Sequence, residues 1–223
     1  MRVSAATPKI RPGIPRWIEA PISFLGLVAL SPLIAGAMIA VRLSSPGPAF
    51  FVQQRVGRSG RLFPLYKLRS MRVNAAGPGV TGKEDPRITS AGRVLRKTKL
   101  DELPQLWNVV RGDMSLVGPR PEVPKYANAA DPVWVRVLAV RPGITDPLAI
   151  RLRDEESLMP SGEAERERFY LEVLQPMKLA GYLEYLDRRT PWSDWGVIFA
   201  TLGAVFRPGR PDETAEAIKS GRL

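Results

Sequence analysis

Two adjacent carboxylates, Asp101 and Glu102, lie in the segment "LDELPQLWNVV" (residues 100–110) and follow directly on a run of cations. The upstream stretch "RVLRKTK" supplies Arg93, Arg96, Lys97 and Lys99, and Arg120 follows in "GPRPE". Cations beside a carboxylate suit phosphoryl transfer, in which catalysis is mainly positioning and charge neutralisation, and a carboxylate can act as the nucleophile. The alternative is structural, with a helix-capping Asp and a first-turn Glu. The density of neighbouring cations favours the chemical interpretation.

Residue types missing from the chain narrow the possible chemistry further. The 223 residues include no histidine and no cysteine. This excludes zinc sites built from Cys and His, cysteine nucleophiles, and serine nucleophiles with an imidazole base. Acid–base or nucleophilic chemistry must therefore use Asp, Glu, Lys or Tyr, and a bound metal would be an oxygen-preferring ion such as Mg²⁺.

The positive charge is concentrated in the first half of the chain. The net charge is +11, and between Glu19 and Glu84 there is no acidic residue, whereas this interval holds Arg42, Arg55, Arg58, Arg61, Lys67, Arg69, Arg72 and Lys83. Such a distribution predicts an anionic partner: lipid headgroups, a phosphorylated substrate or nucleic acid.

The element that positions the two carboxylates is predicted to be a helix over residues 101–110, with Asp101 as its N-cap and Gly112 at its C-terminal end. Pro104 then falls in the first turn, where its missing N–H is tolerated. A helix N-terminus and neighbouring cations would favour the ionised form of Asp101. Because adjacent helical residues point about 100° apart, we expect Asp101 and Glu102 to hold different roles.

An uncharged run of 22 residues, from Ala20 to Val41, is long enough to cross a hydrocarbon core of about 30 Å. Basic residues flank both of its ends, so both ends favour the cytoplasm. Ser31-Pro32 lies at its midpoint, where proline bends a helix and the serine hydroxyl can satisfy a freed carbonyl. From the residues alone, a re-entrant helix kinked at Ser31-Pro32 and a spanning helix with a proline kink both remain open.

The rest of the chain reads as one mainly helical domain with a small β-hairpin, formed by residues 49–56 and 61–68 around Gly57-Arg58-Ser59-Gly60. Further helices are predicted at 90–100, near 132–140 and at 163–186, with a Gly/Pro-rich loop at 74–86. Residues 192–206 predict a second apolar helix that is too short to span. With Trp192 and Trp195 at its start it would either lie in the membrane interface or pack in the core, and we expect core packing. The predicted divisions are a basic segment (1–16), a membrane helix (17–45), a catalytic domain (46–206) and a tail (207–223).

The ordered segments "SPLIAGAMIAVRLSSPGPAFFVQQRVGRSGRLFPLYKLRSM", "DPRITSAGRVLRKTKLDELPQLWNVVRGDMSLVGPRPE" and "VRPGIT" resemble the monotopic polyprenyl-phosphate phosphoglycosyl transferases, the bacterial sugar transferases. The resemblance implies transfer of a sugar 1-phosphate from a UDP-sugar to undecaprenyl phosphate with release of UMP, the first membrane step of bacterial glycoconjugate synthesis. It also implies Mg²⁺, a re-entrant helix broken at Ser31-Pro32, and a location on the cytoplasmic face of the bacterial inner membrane among its lipids.

Residue by residue, the resemblance implies that Asp101 is the nucleophile and a Mg²⁺ ligand, and that Glu102 completes the dyad and handles the metal or the proton balance. Phosphate or nucleotide binding is implied for Lys67, Arg69, Arg96, Arg120 and Arg141. After "RPGIT" the chain departs from the family pattern with "DPLAIRLRDEESLM", which leaves the sugar open. No nucleic acid is implied, a homodimer is left open, and the short N-terminus suggests a minimal catalytic version.

A function of another class explains the same charge. A membrane-anchored basic module would bind nucleic acid or anionic lipid without catalysis. The two hypotheses differ at the dyad, because only the enzyme requires the Asp101 carboxylate.

Overall fold

The computed structural model describes residues 10–73, 81–82, 85–153 and 155–205. Most of the predicted basic segment, most of the Gly/Pro-rich loop and the predicted C-terminal tail lie outside these ranges. Eight helices are present in the described residues: α1 Arg16–Ser44, α2 Ser90–Thr98, α3 Gln105–Arg111, α4 Pro132–Val137, α5 Pro147–Arg151, α6 Glu163–Phe169, α7 Gln175–Arg188 and α8 Pro191–Val205. The prediction of a mainly helical chain with little sheet is confirmed.

The predicted hairpin is present, with β1 Phe50–Val56 pairing antiparallel to β2 Leu62–Leu68. Its connection contains a short 3₁₀ turn at Arg58–Gly60, in which Ser59 and Gly60 have positive φ. One face of β2 carries Phe63 and Leu65, which are buried against Val109 of α3 and Met114. The alternation of buried and exposed side chains therefore fixes which face of the hairpin meets the helices.

A second, two-stranded sheet was not predicted. The three-residue strands β3 Ser115–Val117 and β4 Gly143–Thr145 pair in parallel, and the Gly118 N–H extends the pairing to the Thr145 carbonyl at 3.0 Å. The backbones approach so closely that an added Cβ at Gly143 would lie 2.1 Å from the Gly118 nitrogen. Glycine is required there, and the tight pairing fixes the start of the loop that carries Arg120.

The apolar run predicted for the membrane is part of α1, a helix of 29 residues that continues through Pro32. Proline cannot donate the backbone hydrogen bond that would reach the Val28 carbonyl four residues earlier. The Ser31 hydroxyl donates to that same carbonyl at 2.7 Å. Ser31 thus satisfies the freed carbonyl as predicted, whereas the break of the helix at Ser31-Pro32 stays a prediction.

Both ends of α1 are bonded to the rest of the domain. At its start the Arg16 guanidinium donates to the Val110 carbonyl at 2.6 Å, and the buried Glu19 carboxylate accepts from the Leu116 N–H at 3.0 Å. At its end Val41 is buried with Leu68 and Leu95. Between these points α1 lies against α3. The opposite face exposes apolar side chains that include Phe24, Leu25, Val28, Leu33, Ile39 and Leu43.

The predicted helix at 163–186 is present as α6, a turn of π-helix at Tyr170–Leu174, and α7. Helix α8 packs only in part. Val197 and Ile198 contact the cluster of Val117, Tyr185 and Leu186, which agrees with the expected core packing. Trp192 and Phe199, however, are 83% and 67% exposed, so the expectation holds for only one side of α8.

Candidate active site

The dyad lies on a turn between two helices and does not begin a helix. Lys99 adopts a left-handed conformation (φ 59°) that ends α2, and Leu100–Glu102 form a 3₁₀ turn before α3 begins at Gln105. The prediction that Asp101 is the N-cap of a helix at 101–110 is therefore wrong. A lysine rarely adopts positive φ, and such strained residues concentrate at functional sites. Gly112 ends α3 with φ 90°, as predicted.

Glu102 is held by two cations that come from distant parts of the chain. Arg120 donates from Nη2 to Oε1 at 2.5 Å and from Nη1 to Oε2 at 3.3 Å, and Lys67 Nζ lies 3.3 Å from Oε1. Burial raises the pKa of Glu102, but Arg120 and Lys67 outweigh it and hold the pKa well below its usual value. Glu102 is thus a fixed negative charge that orders the cations around it.

Asp101 lies beside this network without belonging to it. Its side chain is buried, and Oδ1 has no hydrogen-bond partner among the described residues. Burial, followed by the Glu102 charge, raises the pKa of Asp101, although Lys67 and Lys99 act in the opposite direction. The expectation that a helix N-terminus would favour its ionised form is wrong, because no helix begins there. The opposite shifts of the two pKa values agree with different roles.

A buried asparagine joins the two elements on which the site is built. Asn108 of α3 is fully buried, accepts from the Tyr66 N–H at 3.2 Å and donates to the Pro64 carbonyl at 2.7 Å. These bonds join α3, which follows the dyad, to β2, which carries Lys67. Buried polar groups that are fully paired fix one arrangement of the elements that contain them.

The remaining predicted phosphate ligands occupy different surroundings. Arg69 is buried at the end of α1 and donates to the Pro46 carbonyl at 2.5 Å and the Ser45 carbonyl at 2.7 Å. These contacts support a structural role, and the assignment of Arg69 to phosphate binding stays a prediction. Arg96 pairs with Glu156 and contributes to the positive field at Asp101. Arg141 donates to the Gly112 carbonyl at 3.0 Å. Only Lys67 and Arg120 among the predicted cations contact the dyad directly.

Mg²⁺ in proteins usually binds one or two carboxylates together with substrate phosphates and water. The carboxylates of the dyad are the candidate protein ligands. Asp101 fits, because Oδ1 is an unpaired buried oxygen. Glu102 fits poorly, since both of its oxygens already accept from Arg120. Within the part of the chain that the structure describes, no group of three or more acidic side chains gathers, so most of the ligands would come from the substrate.

Two residues near the dyad were missed by the sequence reasoning. Lys99 was counted only as a nearby cation, and nothing in the sequence signals its left-handed backbone. Gln105 lies one turn after Asp101, is 2% exposed, and its Nε2 has no hydrogen-bond partner among the described residues. A buried amide that lacks a partner beside a buried carboxylate is a donor available to a ligand.

Most of the chain is similar to proteins of one known family. The model of the bacterial sugar transferase family matches residues 11–208. The chain is 34% identical over 212 residues to the UDP-glucose:undecaprenyl-phosphate glucose-1-phosphate transferase of Caulobacter vibrioides (92% of this chain, 74% of the relative). It is 35% identical over 213 residues to the undecaprenyl-phosphate galactose phosphotransferase of Salmonella typhimurium (86% and 40%).

A third relative is the UDP-N-acetylgalactosamine-undecaprenyl-phosphate N-acetylgalactosaminephosphotransferase of Aeromonas hydrophila, which is 40% identical over 137 residues. That match covers 59% of this chain and 32% of the relative. The chain thus spans from about a third to three quarters of the length of these three proteins. The sugars in their names differ.

Proposed function

The chain belongs to the bacterial sugar transferase family, and from this we propose that it transfers a sugar 1-phosphate from a UDP-sugar to undecaprenyl phosphate with release of UMP. The observation that carries the proposal is the buried Asp101 Oδ1, which has no hydrogen-bond partner among the described residues. Asp101 lies in the positive field of Lys67, which together with Arg120 binds the neighbouring Glu102. An unpaired carboxylate oxygen next to fixed cations is suited to attack a phosphorus atom whose charge those cations neutralise.

The proposed reaction has two displacements at one phosphorus atom. First, Asp101 forms an oxygen–phosphorus bond to the sugar-bearing β-phosphorus, and the bond to the bridging oxygen breaks, so that UMP leaves with that oxygen. Second, a phosphate oxygen of undecaprenyl phosphate attacks the same phosphorus and Asp101 is released. Each step exchanges one oxygen–phosphorus bond for another, with Asp101 and then the acceptor phosphate as the nucleophile, and no oxidant is needed.

The neighbouring residues act by charge and position. Lys67 and Arg120 bind the diphosphate, and Glu102 holds both cations in place through its paired oxygens. Arginine has five N–H donors in a fixed fork, so contact with Glu102 leaves donors for phosphate. Asp101 and the diphosphate would hold Mg²⁺, which supplies further neutralisation of charge on the leaving phosphate.

The membrane arrangement follows from α1, which is long and apolar enough to cross a bilayer and is joined to the same domain at both ends. A helix that crossed the bilayer would place its two ends on opposite sides. We therefore propose that α1 enters and leaves on one side, with Ser31-Pro32 as the point of bending. The basic residues at both flanks favour the cytoplasmic face of the inner membrane as that side.

The decisive experiment compares Asp101→Asn with Asp187→Asn, which removes an exposed carboxylate that pairs with Arg136 at the surface. We expect Asp101→Asn to abolish UMP release from an active UDP-sugar while its unfolding temperature and membrane association stay unchanged. Asp187→Asn should retain wild-type turnover. Undiminished UMP release by the Asp101 variant would refute the mechanism, and absence of UMP release by the wild-type protein with every UDP-sugar would favour a basic binding module.

Two further measurements address the covalent step and the topology. Without undecaprenyl phosphate, wild-type protein should release up to one UMP per chain and gain the mass of a sugar phosphate on the peptide that contains Asp101. Strict dependence of UMP release on the acceptor would contradict the covalent step.

Because the chain has no cysteine, Arg11→Cys and Arg58→Cys each provide a single labelling site for the test of topology. Both should react from the cytoplasmic side, and labelling from opposite sides would contradict the re-entrant helix.

A further inference from the structure

A cavity of about 160 Å³ lies next to the dyad and has no part in the mechanism above. Arg120 belongs to both sites, since its guanidinium lines the cavity and also donates to Glu102. The cavity therefore begins one side chain away from Glu102, the residue next to the proposed nucleophile Asp101. Its other walls come from β1, the loop after Arg120, α4, the turn at Glu155–Leu158, the π-turn and α7.

Aromatic rings form much of the wall. Tyr126, Trp134, Tyr170 and Tyr182 all line the cavity and each is less than 10% exposed. The rings of Tyr126 and Tyr170 pack at 5.3 Å between centroids with a tilt of 51°. Rigid aromatic walls with a few placed polar groups are the usual construction of a small-molecule pocket. The apolar C–H faces of a ring-shaped ligand would lie against them.

The charged groups in the wall come in pairs of opposite sign. Lys178 Nζ lies 2.6 Å from Glu155 Oε2, Arg55 lies 3.7 Å from Glu122, and the Tyr170 hydroxyl donates to Glu122. A phosphate would be repelled by the two carboxylates in this wall. A purely apolar ligand would offer no hydrogen bonds to either ion pair. A neutral ligand rich in hydroxyl groups, each of which can donate and accept, fits both signs.

The volume of the cavity and its position next to Arg120 restrict the choice of ligand further. A cavity of roughly 150 Å³ accepts a single six-membered ring, so a whole sugar nucleotide would not fit. In a UDP-sugar the sugar is bonded directly to the β-phosphate, whereas the uracil is separated from it by a second phosphate and a ribose. The ring nearest to the reacting phosphorus is therefore the sugar ring, and this pocket adjoins the cation that binds that phosphate.

Given the proposed function, we propose that this cavity binds the sugar ring of the UDP-sugar donor, with Glu155, Lys178 and Tyr182 among the groups that select its hydroxyl pattern. The residues that choose the sugar are thus separate from the dyad that performs the transfer. Differences in this wall would change the donor without changing the chemistry.

The test measures equilibrium binding by the full chain in nanodiscs, in an Asp101→Asn background so that the donor is not consumed. UMP, UDP and a panel of UDP-sugars that differ in hydroxyl configuration and N-acetylation are compared. Glu155→Gln should weaken binding of the preferred UDP-sugar about tenfold and change the ratio between sugars, because hydrogen bonds to a charged carboxylate in the pocket wall are lost. The affinity for UMP and UDP should stay within twofold. Tyr182→Phe, which keeps the ring, is the second variant and should act in the same direction.

The matched control is Glu184→Gln, which removes a carboxylate from the exposed side of α7, where it pairs with Arg188. It should leave every affinity unchanged. Equal weakening of UMP and the UDP-sugars would assign the cavity to the nucleotide and overturn the proposal, as would no change in either variant. Absence of turnover by wild-type protein with any UDP-sugar would refute the proposed function, whereas sugar-selective loss of binding would still support this pocket.

Discussion

Replacement of Glu102 by glutamine removes one negative charge from the centre of the site and leaves Arg120 and Lys67 without their carboxylate. The Glu102 side chain is 11% exposed, and those of Lys67 and Arg120 are 18% and 35% exposed. Removal of one partner from a fully buried ion pair costs about 3–5 kcal/mol. Because Arg120 remains partly solvated, we expect a loss near the lower limit, about 2–3 kcal/mol.

For a chain of this size, that loss corresponds to a decrease of roughly 5–10 °C in the unfolding temperature. Thermal unfolding in nanodiscs, followed by the fluorescence of the five tryptophans, measures it. Glu184→Gln, which also removes a carboxylate but from an exposed pair, should change the temperature by no more than about 2 °C. An equal, small shift for both variants would refute the view that Glu102 holds the two cations.

The same substitution also predicts a change in the pH dependence of UMP release. In the proposed mechanism Asp101 must be ionised to attack, and its pKa is raised by burial and then by the Glu102 charge. We therefore expect activity to fall as the pH decreases through that raised pKa. Glu102→Gln removes the like charge beside Asp101. The positive charge of Lys67 then stabilises the ionised form of Asp101 without competition from Glu102. The acid limb of the residual activity should therefore move to lower pH, and a limb that stays or moves upward would contradict the assigned electrostatics.

Three further substitutions test other parts of the structure. Arg69→Met should lower the free energy of unfolding by about 2 kcal/mol, because carbonyls at the end of α1 lose their donor, while the KM for the UDP-sugar stays unchanged in a UMP-release assay. Burial raises the pKa of Asp146 to about 6, so the fold should lose about 3 kcal/mol of stability as the pH rises from 4 to above 6. Asp146→Asn keeps the helix cap and should abolish this loss in urea unfolding across that range, whereas the matched cap exchange Asp131→Asn should not. Gly92→Ala should destabilise by about 1–3 kcal/mol in the same assay, because an added Cβ would lie 1.9 Å from the Ser70 carbonyl oxygen.

Local patterns predicted the elements whose structure is set locally. The hairpin follows from alternating side chains around Gly57 and Gly60, and the satisfied carbonyl at Val28 follows from the Ser31-Pro32 pair. The parallel pairing of β3 and β4 joins residues more than 25 positions apart. Strands of three residues show no periodicity, so no pattern within either strand could indicate it.

Local sequence patterns also failed to predict the backbone conformation at the dyad. "TKLDELP" has the composition of a helix start, and the N-cap prediction failed because Lys99 takes a left-handed conformation that separates α2 from the next turn. Arg69 and Arg120 are chemically identical and both follow the family pattern. Only the fold places one on the end of α1 and the other on Glu102.

The attachment of α1 at both ends has a consequence for how the protein meets bilayers of unequal thickness. A helix joined at one end can tilt freely to match the lipid around it. Here Arg16 and Val41 tie the two ends to the same domain, so any tilt of the helix turns the dyad by the same angle. With α1 in the membrane as proposed, the height of the Asp101 carboxylate above the lipid is therefore set by the protein and not by the thickness of the surrounding membrane.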